Sequence, residues 1–520
     1  MKQKQILALL QDMSLTEKIG QMVQMVGMLY DAKEQGIITG PMMADMKVTE
    51  EDLKMAGSSL LLYGGGKLAR IQKSYMETQP HHIPQMFMYD VIHGMKTIFP
   101  VPLAQGASFD PVLARDCASV AAKEAAAGGI HVAFSPMVDL VRDPRWGRVM
   151  ESTGEDPYLN GLFAEAMVQG LQGDDMSREG KVCACVKHFA GATGGRDYNT
   201  VEVSENSFRN EYLPAYEKGI KAGAGMVMTS FNTVNGVPAT INQWLMKKVL
   251  REEMGFDGVL ISDFAAIYET IAHGCSEDAK DAAHKAALAG VDIDMMTECY
   301  RSELVRLVED GTIPEALIDE SVLRILTLKN KLGLFEDPYK GMGAEKEAQM
   351  QLTEAHRALA RKAAAQTFVL LKNEGGLLPL STEKKIAFIG PYTDSKCLIS
   401  TWAISGDVKD CVTIREAAEE VFDSTKTTYV QGSAFMPQGY VFEGFDQAGN
   451  VLPVEYTEAE RTQMLQEAIE AAKQAEIVVM PIGEYYLQSG EATSRGDIRI
   501  PEPQLVLLRE VAKVNANIVV

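Results

Sequence analysis

The stretch GVLISDF, residues 258–264, sets three strand-forming residues, Val259, Leu260 and Ile261, directly before a serine and a bare carboxylate, Asp263. Unbroken apolarity of this kind predicts a strand covered on both faces, not one that turns alternate side chains to water. Six similar runs lie between residues 58 and 296: SSLLLYGG (58–65), QMFMYDVIHG (85–94), HVAFSPMVDL (131–140), VCACVKHFAG (182–191), GMVMTSFN (225–232) and VDIDMM (291–296). Segments rich in Ala, Leu, Glu and Lys separate them. Strand and helix patterns alternating over this length predict an α/β fold, a TIM-type (β/α)8 barrel.

In such a barrel the C-terminal ends of the strands meet on one face, where catalytic residues gather. Asp90, Arg148, Lys187, His188, Asn232, Asp263 and Asp294 all fall at or just beyond the ends of their runs. Chains also turn polar at strand ends for no chemical reason, so each residue alone says little and the set says more.

The segment SVLRILTLKNKLGLFEDPY (321–339) reads as a last amphipathic helix with a glycine stop at Gly333 and a proline exit. The expected organisation is a barrel domain over 1–337, a charged, Met- and Gln-rich linker over 338–360 and an α/β sandwich domain over 361–520. Strands are expected in KIAFIG, TTYVQGS and EIVVMPIGE, and helices around 457–475 and 502–513. The closing residues NANIVV read as a further buried strand with nothing after it to cover its edge, so the second domain is expected to be truncated at its C-terminus.

The 71 acidic against 50 basic side chains give a formal charge of −21, and no Lys/Arg cluster interrupts it. Nucleic acid and anionic membrane are therefore poor partners, and a small neutral or cationic ligand is a better one. Seven scattered cysteines without a CxxC pair indicate neither a disulfide framework nor a zinc ribbon, and Cys183 and Cys185 are expected simply to pack. The N-terminal residues show only ILALL as an apolar run, and no segment reaches the ~18 apolar residues of a membrane span. Together with unpaired thiols this predicts a cytoplasmic location. YGGGKLAR and GATGGRDYN lack the spacing of phosphate-binding loops, and no HExxH or Asp/His cluster appears, so neither a metal nor a cofactor is expected.

Two carboxylates stand out: Asp263, and Glu491 in the Gly/Ser-rich loop YYLQSGEATSRGD. Nine segments in one order give them a meaning: LTEKIGQM, DVIHGMKTIFPVPLAQGASFDP, FSPMVDLVRDPRWGRVMESTGEDPYL, VKHFAG, GGRDYNTVEVS, NGVPATIN, GVLISDF, LRILTLKNKLGLFEDPY and SGEATSRGDIRIPEPQ. Through them nearly the whole chain resembles the two-domain bacterial β-glucosidases of glycoside hydrolase family 3.

That resemblance implies a retaining β-glycosidase with Asp263 as nucleophile and Glu491 as acid/base, Glu484 being the second choice for the acid. It implies sugar binding by Asp90, Arg148, Lys187 and His188, with Phe231, Arg196 and Asp197 shaping the pocket. The implied substrates are β-linked oligosaccharides or aryl and alkyl β-glucosides, with a homodimer left open. A nearby Lys187 or Arg148 would favour an ionised Asp263, and partial desolvation would raise Glu491 toward neutrality. Family members that cleave N-acetylglucosaminides carry a catalytic histidine after the KHF triplet. Here GATGGRDYN has none. The alternatives are a β-xylosidase or α-L-arabinofuranosidase on the same scaffold, a non-catalytic carbohydrate-binding protein, and a metal-dependent barrel lyase.

Overall fold

Val, Ile, Met and Cys fill the strand positions of the first half of the chain, and nearly all are fully buried. In the computed structural model, which describes residues 1–30, 48–192, 200–442 and 452–520, they form eight short strands. These are β1 (Val23–Val26), β2 (Ser58–Leu60), β3 (Met86–Tyr89), β4 (Val132–Ala133), β5 (Cys183–Phe189), β6 (Met226–Thr229), β7 (Val259–Ile261) and β8 (Asp294–Met295). Every neighbouring pair is parallel and the strands follow one another in chain order. A parallel bridge between Ile261 and Ile293 closes the ring, as the Ser262 N–H donates to the Ile293 carbonyl at 2.9 Å. The expected (β/α)8 barrel is therefore present.

Local chemistry explains several of its pieces. Asp110 and Asp156 each precede a proline and cap the helices Pro111–Ala127 and Pro157–Gln172, accepting N–H groups of the first turn at 2.8–3.2 Å. A Cβ on Gly258 would lie 2.5 Å from the Gly225 carbonyl oxygen, so the backbones leading into β6 and β7 approach as only glycine allows. The ladder between β5 and β6 shifts register between Val186 and Phe189, where Lys187 and His188 stand. Such irregularities re-aim side chains.

Seven of the eight strands match the apolar runs; β1 does not, because Gln24 interrupts it. Gln24 is nonetheless fully buried and donates its side-chain amide to the Met88 sulfur at 2.9 Å. Asp294 also departs from expectation. It lies within β8, and its carboxylate accepts the Thr297 hydroxyl and, at 3.1 Å, the Tyr300 N–H, capping the next helix, Cys299–Glu309.

The chain divides into two compact units: Met1–Asp143, Val149–Thr367 and Trp402–Ile404 form one, and Pro144–Arg148, Phe368–Thr401 and Ser405–Val520 the other. The segment expected as a linker contains the helix Ala344–Met350, and residue 361 falls inside the helix Glu354–Gln366. Ala363 of that helix is buried with Phe99, Leu113, Cys117 and Val120 of the first unit.

The second unit holds a parallel sheet of β9 (Ile386–Ile389), β10 (Thr427–Val430), β11 (Ile477–Val479) and β12 (Ile518–Val519), in the order β10-β9-β11-β12. The helices Glu458–Gln474 and Glu502–Ala512 cover it, burying Ala468, Ala472, Leu507 and Val511 against Ala387, Ile389, Val478 and Met480. This is the second α/β layer expected from the sequence.

Burial pushes the Asp294 carboxyl up to about 6. The folded state then holds more protons than the unfolded chain between the ordinary aspartate range and pH 6, so stability is lost as pH rises through that window. Asp294→Asn removes the titration. Relative to the parent, the variant should gain about 2–3 kcal/mol between pH 4 and pH 7, measured by urea denaturation at both.

Candidate active site

Asp263 follows β7 by two residues and is 7% exposed. Its N–H donates to the Thr229 hydroxyl at 3.3 Å, and its Oδ1 accepts the Phe264 N–H at 2.6 Å. Its Oδ2 lies 3.6 Å from His188 Nε2. One oxygen is thus held by the backbone and the other faces an imidazole.

His188 is itself fixed. Its Nδ1 stands 2.7 Å from Asp139 Oδ2, and its backbone N–H donates to the same oxygen at 3.2 Å. A carboxylate only accepts, so Nδ1 carries a proton. The Tyr216 hydroxyl donates to Asp139 Oδ1 at 2.5 Å and lies 2.6 Å from the His188 carbonyl oxygen. Burial, and then the Asp139 charge, drive the Tyr216 phenol far above its ordinary range, so it stays a donor. Neither Asp139 nor Tyr216 was among the sequence candidates. Asp139, an acid inside the apolar run HVAFSPMVDL, carried a readable sign; Tyr216, in the helix Leu213–Lys221, carried none.

Beside this group the Lys187 ammonium donates to Asp90 Oδ1 at 2.7 Å, with both side chains nearly buried. Lys187 also sits 5.3 Å from the ring centre of Trp402, a residue the sequence reading passed over. The first unit therefore brings Asp90, Lys187, His188 and Asp263 to the C-terminal ends of β3, β5 and β7. Phe231 is half-buried just beyond β6. Asn232 donates its amide to the Ala190 and Thr233 carbonyls, and Asp294 caps a helix as described. Arg196 and Asp197 lie outside the described residues.

In the second unit, Arg148 Nη1 lies 3.4 Å from Glu491 Oε1, both side chains largely buried. Backbone pairing prepares this contact. Trp146 bridges Ser494 in antiparallel fashion, Gly147 N–H donates to the Thr493 carbonyl at 2.9 Å, and Gly490 N–H donates to the Gly147 carbonyl at 2.8 Å. A Cβ on Gly147 would stand 1.9 Å from the Thr493 hydroxyl oxygen and 2.3 Å from the Gly490 carbonyl oxygen, so the segment tolerates only glycine there. Glu484 is differently occupied: Oε1 accepts the Ser489 hydroxyl at 2.6 Å, and Oε2 pairs with Arg495 at 2.9 Å. Both its oxygens hold the loop together.

Residues 14–328 match the model of the glycosyl hydrolase family 3 N-terminal domain, and residues 368–520 match that of its C-terminal domain. The chain belongs to glycosyl hydrolase family 3. It is 36% identical over 509 residues to a periplasmic β-glucosidase of Salmonella typhimurium, a match covering 96% of this chain and 65% of that protein. It is 30% identical over 488 residues to a β-xylosidase of Formosa agariphila, covering 87% and 64%. Among solved structures, the β-glucosidase of Listeria innocua in complex with isofagomine superposes with a TM-score of 0.89 at 43% identity, covering 99% of this chain and 68% of that one. The chain thus spans about two thirds of the length of these family 3 relatives.

The expected cytoplasmic location is corrected by the Salmonella relative, which is periplasmic and points away from the cytoplasm. The thiols misled the expectation for a physical reason. Cys117, Cys183, Cys185 and Cys299 are buried singly in the core, and burial drives each thiol upward from its ordinary range. Their being unpaired reflects packing and carries no information about the compartment.

Asp139→Asn keeps the shape around His188 but replaces an acceptor-only group with an amide. For this family 3 chain, kcat should fall at least about tenfold with KM changed far less, measured on a nitrophenyl glycoside.

Proposed function

We propose that the chain acts as a retaining exo-β-glycosidase, removing terminal non-reducing β-D-glucosyl residues from short β-linked oligosaccharides and from aryl or alkyl β-glucosides. The observation that carries this reading is the buried Asp263 at the end of β7, with Oδ1 held by the Phe264 N–H and Oδ2 facing His188. An oxygen tied to a backbone donor leaves the other as the attacking atom.

In the first step Asp263 Oδ2 bonds to the anomeric carbon as the bond to the leaving oxygen breaks, and Glu491 gives that oxygen a proton. In the second, Glu491 takes a proton from water, which displaces Asp263 and restores the β configuration. Asp90, oriented by Lys187, offers a carboxylate suited to paired ring hydroxyls. Trp402, stacked against Lys187, offers an apolar face to a sugar ring. Arg148 binds a hydroxyl on the sugar. The β-glucosidase names of the Salmonella and Listeria relatives support the glucosyl preference, as do Listeria complexes with glucose and with laminaribiose. Occupation of both Glu484 oxygens supports Glu491 as the acid.

A β-xylosidase is the second reading, favoured by the Formosa relative and by a xylan 1,4-β-xylosidase 32% identical over 365 residues. A panel of nitrophenyl glycosides separates the two. Glucoside should be the better substrate, and a preference for xyloside of more than about tenfold in kcat/KM reverses the assignment.

Two variants test the carboxylates. Asp263→Ala should lose essentially all turnover, and azide should restore part of it with an α-glycosyl azide as product. Full activity in that variant removes Asp263 from the mechanism. Glu491→Gln should lose about 10²- to 10⁴-fold on an alkyl glucoside, whose leaving oxygen needs a proton, and far less on a nitrophenyl glucoside, whose leaving oxygen does not.

A further inference from the structure

A cavity of about 420 Å³ opens in the second unit between the segment after β10 and the loop after β11. Its wall includes Tyr440 and Val441 from the first and Leu487, Arg495, Asp497 and Arg499 from the second. Both segments leave the carboxyl ends of parallel strands, where open α/β sheets bind their ligands. The second is also the loop that carries Glu491.

The charged side chains of the lining are paired. Arg499 forks onto Asp497, with Nε 2.9 Å and Nη2 2.6 Å from Oδ2. Arg495 donates to the Arg499 carbonyl at 2.9 Å and pairs with Glu484 at 2.9 Å. The guanidiniums are therefore already matched by carboxylates. An anion such as phosphate would call for guanidiniums free to fork onto it. The same cavity is lined by the Tyr440 ring, 41% exposed and packed edge-on to Phe442 at 5.0 Å, next to the exposed Val441. Paired donors and acceptors without excess charge, open to solvent beside an exposed ring, match a neutral polyhydroxylated ring with hydroxyls at its rim and C–H groups on its face.

We propose that this cavity is a subsite for a sugar unit of the leaving group, lying beyond the unit whose bond is cleaved. The assignment rests on Glu491 as the acid: the leaving oxygen takes its proton from this loop, so what is attached to that oxygen departs along the loop's flank. The enzyme then distinguishes chain length through Tyr440 and the Arg499–Asp497 pair, apart from the machinery that acts on the terminal glucosyl unit.

The test compares laminaritriose and cellotriose with nitrophenyl β-glucoside, whose leaving group is too short to reach a second sugar position. In Tyr440→Ala and Arg499→Ala, the ratio of kcat/KM for the preferred trisaccharide to that for the nitrophenyl glucoside should fall about tenfold, through KM. Tyr440→Phe, which keeps the ring, should preserve the ratio and shows that the loop still folds. A ratio within about twofold of the parent in both alanine variants overturns the proposal. Should the parent cleave neither kind of substrate, the carboxylate mechanism fails and the subsite is tested by calorimetric titration. Trisaccharide binding weakened about tenfold by Arg499→Ala supports it. Equal binding by parent and variant, no binding by the parent, or binding of inorganic phosphate in place of the sugar overturns it.

Discussion

The hydrogen bonds that close the barrel are the constraint on which the candidate site depends. Ser262 N–H donates to Ile293 O at 2.9 Å and Ala265 N–H to Met295 O at 3.0 Å, so Asp263 is flanked on both sides by bonds to residues 293 and 295. Ser262 adds its hydroxyl as acceptor for Met295 N–H at 2.8 Å. At the second of those fixed points, Ala265, the chain takes a left-handed conformation, with φ 58°, from which the helix Ala266–Ala272 starts. The nucleophile role proposed for Asp263 needs placement within a fraction of an ångström. Here that placement comes from the same hydrogen bonds that close the ring, so the closed barrel and the position of Asp263 share one cause.

A comparable economy governs the second unit. In the order β10-β9-β11-β12, the chain leaves β9 toward one side and returns to β11 on the other, so the loops after β9 and β11 diverge at a topological switch point. Glu491 belongs to the loop after β11. The pairing of residues 145–147 with 490–495 then stiffens that loop, and Gly147 makes the close approach possible. Two of the segments that marked the family, RWGR and SGEATSR, are thus the two halves of one hydrogen-bonded unit.

Much of this was legible in the residues. Continuous apolar runs predicted seven barrel strands, and the nine segments named the family. Several segments gain a structural cause: the Asp-Pro pairs in SFDP and GEDP are helix caps, and VKHF marks the register shift in β5. What could not be read has equally physical reasons. β1 hid behind Gln24, because burying a polar residue depends on a partner, Met88, 64 residues away. Asp294 resembled a site carboxylate by position, yet its Oδ2 serves Thr297 and Tyr300. Asp139 and Tyr216 act on His188 only through tertiary contact. Residue 361 resembled a domain start, whereas Glu124, fully buried, draws Leu352 N–H (3.0 Å) and His356 (2.8 Å) to the same carboxylate that accepts Lys96 and Thr97 N–H groups. No pattern in 352–367 encodes that distant acceptor.

The pairing of Arg148 with Glu491 sets a condition on the proposed chemistry. A guanidinium 3.4 Å from a largely buried carboxyl stabilises its ionised form. That suits the second step, in which Glu491 takes a proton from water, and opposes the first, in which it must donate one. The two demands are reconciled if a sugar hydroxyl accepts the Arg148 N–H groups on binding. The carboxyl then loses its cationic partner as the sugar displaces water around it, and both changes favour the protonated acid. Before substrate arrives, the same ion pair holds the loop in one position at little cost, since the backbone pairing of Gly147 already fixes the approach. Arg148 on this account does two jobs in sequence, and the sugar itself makes the exchange.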